Sequence, residues 1–200
     1  LMTIPTGIEK AKYEKDNDID IRSEYNIERD EKVLLFVGRL GKEKNVELLL
    51  EAFREISDNL TRTRLVLVGD GPREKYLKKR ADQLKISDSV IFTGLLPHDM
   101  VVEFYQASDL FVFPSVTETQ GLVILEAMAG GLPVVAVNAA GSGDLIDGGA
   151  NGLLVKEDKH FFAQSVIKLL THEKRYNLFS KNAHKKAEEY TMENMAKRLL

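Results

Sequence analysis

Six runs of consecutive apolar residues, separated by helical patterns, constrain the fold more than any other feature of this chain. VLLFVGR (33–39), RLVLVGD (64–70), SVIFTG (89–94), DLFVFPS (109–115), LPVVAV (132–137) and GLLV (152–155) read as strands. Five of the six carry three or more consecutive Val, Leu, Ile or Phe residues. A strand with one wet face alternates apolar and polar letters, so unbroken runs indicate strands covered on both faces, as in a parallel sheet.

The intervening stretches have helical spacing. Val46, Leu49, Leu50 and Phe53 recur at three and four, with Asn45 placed to cap them. Pro72 stands near the start of a helix through 84, where its missing N–H is tolerated. Asp99 precedes an amphipathic segment through Gln106, a short apolar helix is expected over 121–129, and two or three charged helices fill 158–200. Strand–helix alternation predicts an α/β, Rossmann-like doubly wound parallel sheet with helices on both faces. Residues 32–200 form that domain, and 1–31 form a polar leader with a short helix near 20–26. Ligands are expected at the carboxyl ends of the strands.

Composition narrows the function classes. Among 200 residues the net charge is −3 and no basic stripe compensates, which argues against a nucleic-acid partner. Without cysteine there is neither a disulfide framework nor thiolate chemistry, in keeping with a cytoplasmic setting. No apolar run approaches the roughly 20 residues needed to span a bilayer. The opening LMTIPTGIEKAKYEKDNDID lacks a signal-peptide core and reads as the middle of a longer chain.

The stretch PSVTETQGLVILEAMAGG (114–131) carries the sharpest chemistry. A buried strand ends at Pro114, a polar loop holds Glu118, and Gly121 opens a helix carrying Glu126 before Gly130 and Gly131 end it. A helix start offers free N–H groups and positive dipole charge to an anion. Carboxylates beside such a site repel phosphate unless they accept hydrogen bonds from sugar hydroxyls, so the pattern suits a ligand with both phosphate and sugar parts. A surface loop acid and a helix-face acid are the plainer alternatives. Against them, Glu126 interrupts the otherwise apolar VILEAMA, where a lone acid is costly without a partner.

GRLGKEKN (38–45) follows the first strand. Gly38 and Gly41 permit a tight turn, and Arg39 with Lys44 suits a diphosphate, although a solvated basic loop explains the letters alone. GDGP (69–72) lacks the third glycine of a dinucleotide fingerprint and reads as a tight turn in which Gly71 lets a ligand approach. Backbone groups around Ile91 and Phe92 can read the edge of a base, though a core strand has the same letters. The four histidines have no metal-site spacing, and DND (16–18) lies in the charged leader rather than after a strand, so no metal is expected.

Taken together, GRLGKEKN, VLVGDGP, VIFTGLLP, DLFVFPSVTETQGLVILEAMAGGLPVVAV and NGLLV closely resemble the C-terminal half of retaining GT-B glycosyltransferases of family 4, relatives of sucrose and glycogen synthases. The resemblance covers nearly the whole chain. IPTGIE (4–9) and TETQGL are similar to members that glucosylate diacylglycerol.

The resemblance implies one domain of a two-domain enzyme that binds a nucleotide-sugar donor, a UDP-sugar and here UDP-glucose, and moves the hexose to a lipid or other glycoconjugate acceptor, without metal or cofactor. Arg39 and Lys44 would hold the diphosphate, Glu126 the ribose, and Glu118 the donor sugar. Gly121 and Leu122 would bind oxygens at the helix start, flanked by Thr119 and Gln120, with Gly38, Gly71, Ile91 and Phe92 lining the donor site. The N-terminal acceptor domain would be the partner, bringing association with the inner membrane face, and this half alone would transfer nothing. A binding module without transfer and a GT-B epimerase remain as alternatives. AAGSGDLID (139–147) departs from the family's usual Gly-Gly-x-x-Glu turn and leaves the role of Asp144 open.

Overall fold

The computed structural model describes residues 7–13, 20–117, 121–139 and 141–197. Its six-stranded sheet comprises β1 (Lys32–Val37), β2 (Thr63–Val68), β3 (Val90–Gly94), β4 (Leu110–Phe113), β5 (Val134–Val137) and β6 (Gly152–Val155). The order is β3-β2-β1-β4-β5-β6 and every pairing is parallel. Each predicted strand is present: β6 has the predicted bounds and the other five differ by at most two residues at an end. The doubly wound Rossmann-like fold expected from the apolar runs is the observed one.

Burial follows position in the sheet. Leu34, Leu35 and Phe36 of β1 and all four residues of β4 are fully buried, as strands covered on both faces must be. At the edge, β3 buries Val90 but leaves Ile91 and Phe92 only partly covered. On one face α2 (Val46–Asn59) packs between α3 (Glu74–Leu84) and α6 (Lys159–Leu170). On the other, α5 (Leu122–Ala129) packs between α4 (His98–Ala107) and α7 (Glu173–Glu188).

Local signals hold with small offsets. Helix α4 starts at His98, so Asp99 lies in its first turn rather than before it. Asn45 precedes α2 but makes no cap: its backbone is left-handed (φ 51°), and its side-chain amide donates to Glu157 Oε1 at 2.9 Å. Side-chain caps fall at Asp20, which accepts from the Ser23 N–H, and at Asp158, which accepts from the N–H groups of His160 and Phe161 to start α6. A tertiary partner thus overrides the local preference at Asn45.

The described part of the leader is packed on the domain. Ile21 of α1 (Ile21–Glu24) and Ile27 are buried, and Ile8 pairs with Thr191 just ahead of α8 (Met192–Lys197). At the amino end of the sheet, Asp109 accepts from Arg22 Nη2 (3.1 Å), Lys32 Nζ (2.8 Å) and the Val33 N–H (2.8 Å). Arg22 also donates to the Ala107, Glu28 and Glu31 carbonyls. Asp109→Ala removes the carboxylate partner of Arg22 and leaves the Val33 N–H without its acceptor. It should cost roughly 2–4 kcal/mol in urea unfolding, with the carboxyl ends of the strands undisturbed because the lock lies at their opposite ends.

Candidate functional site

The strand order reverses between β1 and β4, so their following loops leave toward opposite faces and open a crevice at the carboxyl end of the sheet. Those loops are 38–45 and 114–121, the two segments singled out by their chemistry in the sequence. Three contacts make the crevice floor one unit. Gly38 N–H donates to Val68 O (3.0 Å), Leu40 N–H to Asp70 O (2.7 Å) and Gly69 N–H to Gly94 O (2.9 Å). Gly71 fits for a packing reason: a Cβ there would lie 2.6 Å from the Leu40 carbonyl oxygen. Gly69 (φ 126°) is likewise pressed on Gly38 O, at 2.2 Å from an added Cβ.

Across the crevice, Lys44 Nζ lies 5.3 Å from the centroid of the Phe113 ring, at the end of β4. The Ser115 hydroxyl, fully buried, is within 3.3 Å of Glu43 O and donates at 2.9 Å to Thr117 O. The cationic turn is thereby fastened to the loop that leads into α5. Arg39 is exposed on the same turn. Ser115 had no signal in the sequence beyond its place after Pro114.

Glu118, Thr119 and Gln120 lie outside the described residues. Gly121, buried and left-handed (φ 63°), caps α5; a Cβ there would meet Leu145 Cδ1 at 2.6 Å. The loop holding Leu145 is braced from inside: Ser142 bonds the Val137 and Ala139 carbonyls, and Asn151 bonds Leu145 O and the Asp147 N–H. Asp144 on this loop is exposed.

Leu122 and Glu126, one turn apart on α5, line a common hollow of about 200 Å³ with Tyr13 and His98. The partner that the lone acid required is Tyr105, whose hydroxyl donates to Glu126 Oε2 at 3.0 Å. Tyr13 presents its hydroxyl to the same carboxylate. Neither tyrosine was singled out in the sequence, nor was His98. Phe92 packs beneath Lys78 Nζ, 5.5 Å from its ring centroid, so its side chain faces α3; the segment after β3 that reaches Glu126 is the one holding His98. Among the described residues no cluster of acidic, His or Cys side chains could hold a metal. No helix among them is long and apolar enough to cross a membrane.

A sequence profile of the family described as "Glycosyl transferases group 1" matches residues 17–186. The chain belongs to this glycosyltransferase family. Alpha-monoglucosyldiacylglycerol synthase of Streptococcus pneumoniae is 35% identical over 95% of the chain and 46% of the relative. A solved Anabaena protein, HepE in complex with UDP and glucose, superposes with a TM-score of 0.87 at 23% identity, over 96% of the chain and 54% of its own. The separately solved C-terminal domain of a group 1 glycosyl transferase from Francisella tularensis matches over its full length, covering 93% of this chain at a TM-score of 0.82 and 23% identity. The chain spans about half the length of the curated relatives it matches.

In this glycosyltransferase domain the environment of Glu126 is electrostatically uneven. Burial raises its carboxyl above the ordinary value of 4.5, while the Tyr105 hydrogen bond, the charge of His98 and the Tyr13 hydroxyl oppose the rise without cancelling it. Burial and the neighbouring carboxylate push both phenols up, so each stays a donor. A carboxyl with a raised folded pKa adds stability that is present at low pH and is lost as pH rises through that pKa. Glu126→Gln lacks the ionisation. It should therefore be more stable than the parent at neutral pH, with the gap closing on acidification toward 4.5, as read by Tm across the pH series.

Proposed function

We propose that this is the donor-binding domain of a retaining hexosyltransferase that takes glucose from UDP-glucose and delivers it to a lipid acceptor. The observation that supports the reading is the contact between the cationic turn and the loop after β4, made through Ser115 and Glu43, with a phenol-partnered acid on the helix that follows that loop. The lipid acceptor and glucose follow the S. pneumoniae relative, whose name describes a glucosyl transfer to diacylglycerol.

In this reading the bond between the anomeric carbon and the diphosphate oxygen breaks, and negative charge grows on the departing UDP. Arg39, Lys44 and the α5 dipole stabilise that charge most in the transition state, with no metal required. The acceptor hydroxyl bonds to the same face of the anomeric carbon and passes its proton to the leaving phosphate. Glu126 accepts from the ribose hydroxyls, and Glu118 steadies the donor sugar. An N-terminal half of the same polypeptide supplies the acceptor site and the approach to the membrane.

The test titrates UDP, GDP and ADP into the domain and follows amide shifts. UDP should move residues 38–45 and 118–126 together, with GDP and ADP weaker. Arg39→Ala and Lys44→Ala should each weaken UDP by about tenfold or more, and increasingly so at low salt. Equal affinity for all three nucleotides in both variants would overturn the assignment. Joined to its other half, the domain should move labelled glucose onto diacylglycerol; change of the sugar without acceptor would mark an epimerase instead.

A further inference from the structure

The donor reading leaves Tyr105 and Tyr13 without a role, yet both converge on the one acid it uses. Tyr105 is fully buried on α4, with ring centroids 5.9 Å from Phe111 and 6.0 Å from Tyr13. Gly130 makes room for it, since a Cβ there would approach Tyr105 Cβ to 3.0 Å. Such a ring has one position, and its hydroxyl meets Glu126 Oε2 at 3.0 Å. Tyr13 arrives from a different segment, its backbone carbonyl held by Gln106 Nε2 at 2.9 Å. Residues 7–13 are in turn tied to the C-terminal segment through Ile8 N–H to Tyr190 O (2.9 Å) and Met192 N–H to Ile8 O (3.1 Å).

A free glutamate on a helix samples several rotamers, and an acid that must accept two adjacent hydroxyls gains affinity when one is preselected. We propose that Tyr105, aided by Tyr13, is a positioning residue for Glu126. It fixes the carboxylate plane through Oε2 and leaves the remaining lone pairs directed at a vicinal diol. The ligand feature so recognised is the cis-2′,3′-diol of a ribonucleotide. The inference rests on the donor reading of Glu126. Besides the two phenols, the charged groups around the carboxylate are His98 from α4 and the Glu9–Lys12 pair (3.1 Å) from the 7–13 segment. None of these is a hydroxyl that a ring locks in place.

The experiment compares UDP with 2′-deoxy-UDP by calorimetry on the parent, Tyr105→Phe and Glu126→Gln. The parent should favour UDP by about tenfold, and Tyr105→Phe, which keeps the ring and loses one hydrogen bond, should cut that ratio to about twofold. Its Glu126 carboxyl, followed by 13C NMR, should titrate at higher pH than in the parent, because a donor to the ionised form is gone. A purely structural role would weaken both ligands equally and leave their ratio intact; that result overturns the proposal. If Glu126→Gln itself keeps the parental ratio, the donor reading of Glu126 fails instead, whatever Tyr105 does. Should Tyr105→Phe not fold, Tyr13→Phe is read in the same way. A reduced ratio supports the assignment and an unchanged one overturns it.

Discussion

A parallel sheet that grows on both sides of its first strand must reverse the direction in which its crossovers step, and the rest of this molecule follows from that reversal. After β3 the chain returns through α4 and enters β4 on the free side of β1. With right-handed crossovers, the helices before and after the reversal lie on opposite faces of the sheet. The loops leaving β1 and β4 therefore part company, one toward α2 and the other toward α5. Each starts from a strand buried on both faces, so the crevice between them has a rigid floor.

That floor is tightened by backbone packing rather than by side chains. The turns after β1, β2 and β3 bond one another directly, and Gly69 and Gly71 are the places where a side chain would force them apart. On the far wall, Ser115 ties the turn of Glu43 and Lys44 to the entry of α5. In the proposed donor reading such a held cradle need not reorganise when charge develops on the ligand, and fixed donors then contribute more than mobile ones.

The sequence disclosed the sheet because burial on two faces leaves a local mark, a run of apolar letters that needs no knowledge of the partner strand. Glycines and charges at strand ends likewise mark both loops of the crevice in the letters alone. What it did not disclose depends on distant pairs. Asn45 has every local property of a cap, but Glu157, 112 residues away in the sequence, claims its side chain. Glu126 announced its need for a partner through the apolar letters around it. Tyr105 and Tyr13 could not be chosen among six tyrosines, since no periodicity links those segments to α5. Gly71 shows the complementary limit: a glycine demanded by backbone packing and one opened for a ligand have the same letter.

The placement of Glu126 is an electrostatic compromise whose terms can be separated. In the proposed donor reading a carboxylate near the diphosphate repels the ligand, and its burial in an apolar helix costs the fold, as the raised pKa records. Glu126 stands on the second turn of α5 while the cations lie on the turn after β1, and in the proposed donor reading they meet opposite ends of an extended ligand. Phenols, unlike lysines or arginines, can partner the acid without neutralising it. The carboxylate thus keeps its negative charge beside uncharged donors, which in the proposed donor reading leaves it free to accept from sugar hydroxyls. A cation in place of Tyr105 would relieve the burial cost and remove the polarity difference along the cleft. The tyrosines leave part of that cost in the fold, since their hydrogen bonds oppose the effect of burial on the acid without cancelling it.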